Sequence, residues 1–115
     1  MHESSLADGV LQMDQATSKV ASKFAARIRK AYSPQRIILF GSRARGDHFH
    51  SSDFDFIIVS EKFRGTPFLE RPSAIYDFWD EPVDLEAICY TPEEFTRKLK
   101  QYGIVRTATK EGIEL

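Results

Sequence analysis

A lone cysteine, Cys89, leaves this chain no intrachain disulfide and no zinc site built from thiolates. It stands inside an apolar run and reads as a small buried hydrophobe. Long hydrophobic stretches are missing as well: nothing approaches the roughly 18 apolar residues of a membrane span. Met1 to Val10 lack the basic start and apolar block of a secretory signal, so a cytoplasmic, soluble protein is expected. An excess of either charge is also lacking, with 16 basic against 17 acidic residues and a net charge of −1. That balance argues against a dedicated nucleic-acid binder, which carries a basic stripe or patch, but leaves room for a local basic pocket. No repeat, linker or low-complexity stretch divides the 115 residues, and a single domain over 1–115 is expected.

What is present is a 42% hydrophobic complement rich in phenylalanine, enough for one core. Residues 1–12 show little period and are expected to fray. From Met13, the recurrence of Val20, Phe24, Ile28 and Tyr32 every four residues predicts an amphipathic helix. Asp14 or Thr17 would cap its start, and Ser33-Pro34 would end it. Arg36 to Phe40 is short, β-branched and apolar, and predicts a buried strand. Asp53 to Val59 predicts a second, whose alternation puts Asp53 and Asp55 on one face and Phe54 and Phe56 on the other. A short helix is expected within Arg71 to Trp79, a third strand over Val83 to Tyr90, and a helix from Thr91 to Leu99 opened by a capping box. Ile104 to Lys110 predicts a further helical piece. The fold class expected is therefore α/β (α+β), a mixed sheet of three or more strands with helices packed against it.

The chemistry lies in Gly41-Ser42-Arg43-Ala44-Arg45-Gly46-Asp47 and Ser52-Asp53-Phe54-Asp55. A glycine permits close backbone approach, and a Gly-Ser turn offers amide and hydroxyl donors to a phosphate oxygen. Arg43 and Arg45 would add charge suited to phosphate. Carboxylates opposite a phosphate make sense when Mg²⁺ stands between them. With Asp84 on the third strand, three carboxylates could hold two metal ions about 3.5–4 Å apart for in-line displacement at phosphorus. Asp84 would then serve as general base or metal ligand. Blander roles are assigned to the remaining candidates. His48 and His50 are expected to be solvated, and Lys62 and Arg64 to belong to a charged loop; Glu86 shares the face of Asp84 and would join the metal site or, as is expected, cap the sheet edge. Phe78 and Trp79 are expected in the core.

Gly41-Ser42, ten residues, then Asp53-x-Asp55 resembles the signature of the polymerase-β-like nucleotidyltransferases. Gly-Ser-Arg-Ala-Arg-Gly and Ser-Asp-x-Asp are similar to their small prokaryotic branch, the minimal nucleotidyltransferases. The resemblance runs over about residues 36 to 90, with Phe54 and Phe56 where smaller aliphatic residues are commoner. It implies Gly41 and Ser42 at the triphosphate, and Asp53, Asp55 and Asp84 as catalytic, metal-binding carboxylates. It further implies ATP as substrate and an antitoxin role beside an all-helical HEPN-family partner, adenylylated on a tyrosine. No separate acceptor domain is expected within the chain, which suits an acceptor on a partner. A non-catalytic module that neutralises or scaffolds such a partner is the alternative, and an aminoglycoside-type transferase a third.

Overall fold

The computed structural model describes residues 13–115, so the expectation for residues 1–12 falls outside the described residues. Helix α1, Gln15–Tyr32, follows the expected stripe, and Ala21, Phe24, Ala25 and Ile28 are buried along it. Asp14 caps it by accepting the Thr17 amide at 2.7 Å, which satisfies one of the free donors of the first turn. The helix stops at Ser33, left-handed at φ 44°, immediately before Pro34.

Strand β1, Arg36–Phe40, runs into a one-turn helix, α2, Ser42–Arg45, and then a loop. Strand β2, Phe54–Val59, and two 3-10 turns lead to helix α3, Arg71–Tyr76. Strand β3, Leu85–Tyr90, precedes helix α4, Pro92–Leu99, which begins with the expected box. Thr91 accepts the Glu94 amide while the Glu94 carboxylate accepts the Thr91 amide. Helix α5, Ile104–Glu111, and strand β4, Ile113–Glu114, follow.

These strands form one mixed sheet in the order β3-β2-β1-β4, with β2 and β3 parallel and the other pairs antiparallel. The parallel pair needs a crossover, and the segment containing α3 supplies it. Ile37, Leu39, Phe54, Phe56, Ile58, Leu85, Ala87 and Cys89 face α1 and α3 in one core layer. Phe24 meets Phe56 at 4.8 Å between ring centres and presents its edge to Trp79 at 5.3 Å. On the opposite face, Ile38, Phe40, Ile57, Val59 and Tyr90 pack with Phe95, Val105 and Ala108 from α4 and α5. Helices on both faces explain why β1 and the end of β2 are continuously apolar rather than alternating.

Two boundaries differ from expectation. β3 starts at Leu85 rather than Val83, leaving Asp84 just outside it, and β2 starts at Phe54, leaving Asp53 in the same position. Strand β4 carries no readable pattern, because two residues are too short for alternation to register. It exists because Gly112 lets the end of α5 come against β1. A Cβ there would strike the Ala108 carbonyl and lie 2.7 Å from the Leu39 carbonyl oxygen.

Candidate active site at the Gly41 turn and the carboxylate strands

β1 ends where β2 begins, because the two strands are antiparallel and Phe40 stands opposite Asp55. The next residue, Gly41, takes φ 78° and ψ −160°, a backbone region essentially reserved for glycine. A side chain at this position would also run into Asp55 Oδ2. The residue type therefore does two things: it permits the turn, and it lets the Asp55 carboxylate lie against the turn backbone. Ser42 opens α2 directly behind it.

The parallel register brings the acidic residues together in pairs. Asp55 stands beside Glu86. One step earlier, the Phe54 amide donates to the Asp84 carbonyl at 3.0 Å, so Asp53 and Asp84 lie level at the entrance of their strands. Strand alternation puts all four on the sheet face that carries Ile57 and Tyr90, beyond the cover of α4 and α5. Asp53, Asp84 and Glu86 are exposed, and Asp55 is half-buried. Burial pushes the Asp55 pKa up to about 6, and a hydrogen bond and charge repulsion from Glu86, then the charge of Asp53, push the same way. Arg45 opposes the shift. Glu86 is thus a neighbour of the central carboxylate, and the sheet-edge role assigned from sequence misses this contact. Its offset of two from Asp84 already puts it on that face, with a place at the carboxylates as the second option.

The two arginines of the turn separate sharply. Arg43 is 6% exposed, with its guanidinium over the Phe54 ring at 4.3 Å. It donates to the Ser52 and His50 carbonyls and to Thr17 Oγ1 at 3.0–3.3 Å. The expectation that Arg43 faces phosphate is therefore corrected: its donors are committed inward, bracing the loop that leads to Asp53. Position 45 lies two residues on, on the other side of the turn, and Arg45 is exposed beside Asp47 at 3.2 Å. It keeps a guanidinium available near the carboxylates.

His48 also departs from expectation. Its side chain is only 13% exposed, and Nε2 lies 2.7 Å from Asp14 Oδ2, which ties the loop to the start of α1. His50 is exposed as expected. Arg64 pairs with Glu61 and Glu93, and Lys62 reaches the Ala31 carbonyl, so both have local partners away from the turn. Trp79 packs in the core and donates its indole N–H to the Val83 carbonyl at 2.7 Å, holding the approach to Asp84.

A glycine turn pressed against a carboxylate pair is an arrangement suited to phosphoryl chemistry, and the comparison with known proteins points the same way. Residues 21–114 match the nucleotidyltransferase domain family. The chain belongs to this family. A Methanocaldococcus jannaschii protein named "Putative protein adenylyltransferase" is 37% identical over 94 residues, which cover 82% of this chain and 64% of that protein. The chain thus spans less than two thirds of that relative's length. A Sulfolobus solfataricus structure described as a "putative nucleotidyltransferase" superposes with a TM-score of 0.56 at 22% identity, covering 84% of this chain and 82% of that one. The fold is also similar to Arabidopsis thaliana BolA1, with a TM-score of 0.54 at 22% identity over 64% of this chain and 93% of that one. At such identities the structural likeness speaks for fold alone. The fold expected from sequence is the fold observed.

A divalent metal suits the donors of this nucleotidyltransferase domain. They are all oxygen, as hard cations prefer, and the Asp55 pKa, raised first by burial and then by Glu86 and Asp53, is of the kind a bound cation would lower. Among the described residues no three His, Cys, Asp or Glu side chains are already drawn together as ligands are.

Proposed function

We propose that the protein moves AMP from ATP to a hydroxyl on a partner protein, a tyrosine of an all-helical HEPN-family protein, and so acts as an antitoxin. The observation that carries this reading is Gly41 lying against Asp55, since it brings a phosphate-accepting turn to the carboxylates. Asp53, Asp55 and Asp84 would hold Mg²⁺. When bound, Mg²⁺ neutralises triphosphate charge and lowers the pKa of an attacking hydroxyl. Gly41 and Ser42 orient the β- and γ-phosphates, and Arg45 offsets their charge. Asp84 takes the proton of the acceptor hydroxyl as its oxygen bonds to the α-phosphorus. The bond to the bridging oxygen breaks, and pyrophosphate leaves. An open hollow of 530 Å³ bordered by Asp53, Tyr76, Trp79, Asp84 and Glu86 gives an acceptor a route to the carboxylates. The name of the Methanocaldococcus jannaschii relative supports a protein acceptor.

The test incubates the chain with the partner, Mg²⁺ and ATP labelled at the α- or the γ-phosphate. Label arriving on the partner from the α position alone supports nucleotidyl transfer. Transfer from the γ position would indicate a kinase. No transfer, with partner inhibition surviving Asp53→Asn and Asp55→Asn, would leave a binding module.

A further inference from the structure

Tyr76 and Asp84 stand at the two ends of one braced loop. Helix α3 ends at Tyr76, whose carbonyl accepts the Trp79 amide at 3.0 Å. Trp79 packs its ring against Phe24 and Phe54, each at 5.3 Å between ring centres, while its indole N–H donates to the Val83 carbonyl. Arg27 of α1 donates to the Phe78 carbonyl at 2.9 Å, and Lys23 lies 3.8–3.9 Å from Asp80 and Glu81. With its middle fixed against α1, the segment 77–83 holds Tyr76 at the rim of the hollow that Asp53, Asp84 and Glu86 also border. Ile75, one position earlier, is fully buried; successive helix positions point to different sides, and Tyr76 is 47% exposed. Among the described residues it is the one tyrosine at this hollow. Tyr32 packs against Phe63 and Phe78, and Tyr90 is buried against Phe68 and Phe95. Tyr102 lies 92% exposed beyond the end of α4, with the Arg106 guanidinium over its ring. The hollow's 530 Å³ falls within the roughly 300–1,000 Å³ of ligand pockets, which leaves room for a phosphoryl group beside the phenol.

We propose that Tyr76 is itself a nucleotide acceptor, so that the chain adenylylates its own acceptor hollow when no partner fills it. The proposal rests on the nucleotidyl-transfer reading. The Tyr76 phenol oxygen bonds to the α-phosphorus of a nucleoside triphosphate, and the bond from that phosphorus to the bridging oxygen breaks. Pyrophosphate leaves, and the phenolic proton passes to Asp84. A phenol is a weak nucleophile until an adjacent base takes its proton, and the loop keeps such a base at the same hollow. Because both groups belong to one chain, the step is intramolecular and gains from their enforced proximity. AMP carried on Tyr76 then stands in the route by which a partner's hydroxyl would reach the carboxylates, and transfer to the partner slows.

The chain is incubated with Mg²⁺ and ATP labelled at the α-phosphate, with and without the partner, and its peptides are mapped by tandem mass spectrometry. Without the partner, label should accumulate on Tyr76. The rate per chain should stay constant across about a tenfold range of chain concentration, as an intramolecular step requires. Tyr76→Phe should lose the label and Tyr102→Phe should keep it, with circular dichroism melts confirming that both variants fold. A second readout needs no turnover. ATP with a methylene group between its α- and β-phosphorus cannot transfer AMP, and with Mg²⁺ it should shield Tyr76, but not Tyr102, from nitration by tetranitromethane. Chain modified beforehand should label the partner several-fold more slowly, and an equal rate would overturn the obstruction. Label on another residue, label persisting in Tyr76→Phe, a rate per chain that rises with concentration, or an unshielded Tyr76 overturns the proposal. A partner that takes label while the chain takes none overturns it and leaves nucleotidyl transfer standing. Label on neither overturns the nucleotidyl-transfer reading together with the proposal.

Discussion

Replacing Asp55 with asparagine should stabilise the metal-free protein while removing its proposed activity. In the folded chain Asp55 ionises only near pH 6, against 3.8 for an ordinary aspartate, because burial and then Glu86 and Asp53 disfavour its charge. Unscreened, that difference corresponds to about 3 kcal/mol. Asp55 is only half-buried, so solvent screening reduces the expected effect to about 1 kcal/mol. A raised carboxylate pKa means stability is fully present below pH 3.8 and is lost as pH rises through about 6. Asp55→Asn cannot acquire the charge and escapes this loss, and its amide can still donate to Glu86. In EDTA at pH 7.5 its melting temperature should exceed the parent's by about 3–6 °C, given the scaling for domains of this size. Near pH 4 the difference should vanish. Added Mg²⁺ should raise the parent and not the variant, closing the gap. A less stable Asp55→Asn in EDTA at pH 7.5, or a difference independent of pH, would refute the reasoning. The pattern is that of a site whose stability cost is tied to its function.

Arg43→Ala should destabilise by about 2–4 kcal/mol in urea melts, since it strands the Ser52 and His50 carbonyls and empties the space over Phe54. Arg45→Ala should change stability by less than about 0.5 kcal/mol yet weaken tripolyphosphate binding in a direct titration. Gly41→Ala should cost about 1–3 kcal/mol from backbone strain alone, read by thermal melt. It should also displace Asp55 and abolish transfer. Acid titration should expose the buried Arg71 beside Glu94: hydrogen bonds from Arg71 hold the Glu94 carboxyl down at about 2. A lowered pKa gives stability present above pH 4.5 and lost as pH falls toward 2, and Glu94→Gln should flatten this part of the acid-melting profile.

Much of the site was legible in the chain because local rules specify it. Asp53 and Asp55 share a face through strand alternation, and Gly41 precedes Ser42 where an apolar strand ends. Cap and capping box were equally readable, since Asp14 with Thr17, and Thr91 with Glu94, lie three residues apart. The arginines were not. Arg43 and Arg45 occupy the same basic turn, and only the packing of Phe54 and Thr17 under that turn determines which guanidinium is buried. His48 likewise meets Asp14 from 34 positions away, beyond the reach of any periodic pattern.

By itself, then, the sequence determined the carboxylate pair, the glycine turn, the element types and the family resemblance, because each rests on neighbours within a few positions. Tertiary structure alone decided that Glu86 presses on Asp55, that Arg43 is buried as a brace while Arg45 stays exposed beside Asp47, and that α5 closes a cleft beside the turn. Strand register and helix docking join residues with no fixed spacing in the chain, and burial then decides which of two similar side chains remains available for chemistry.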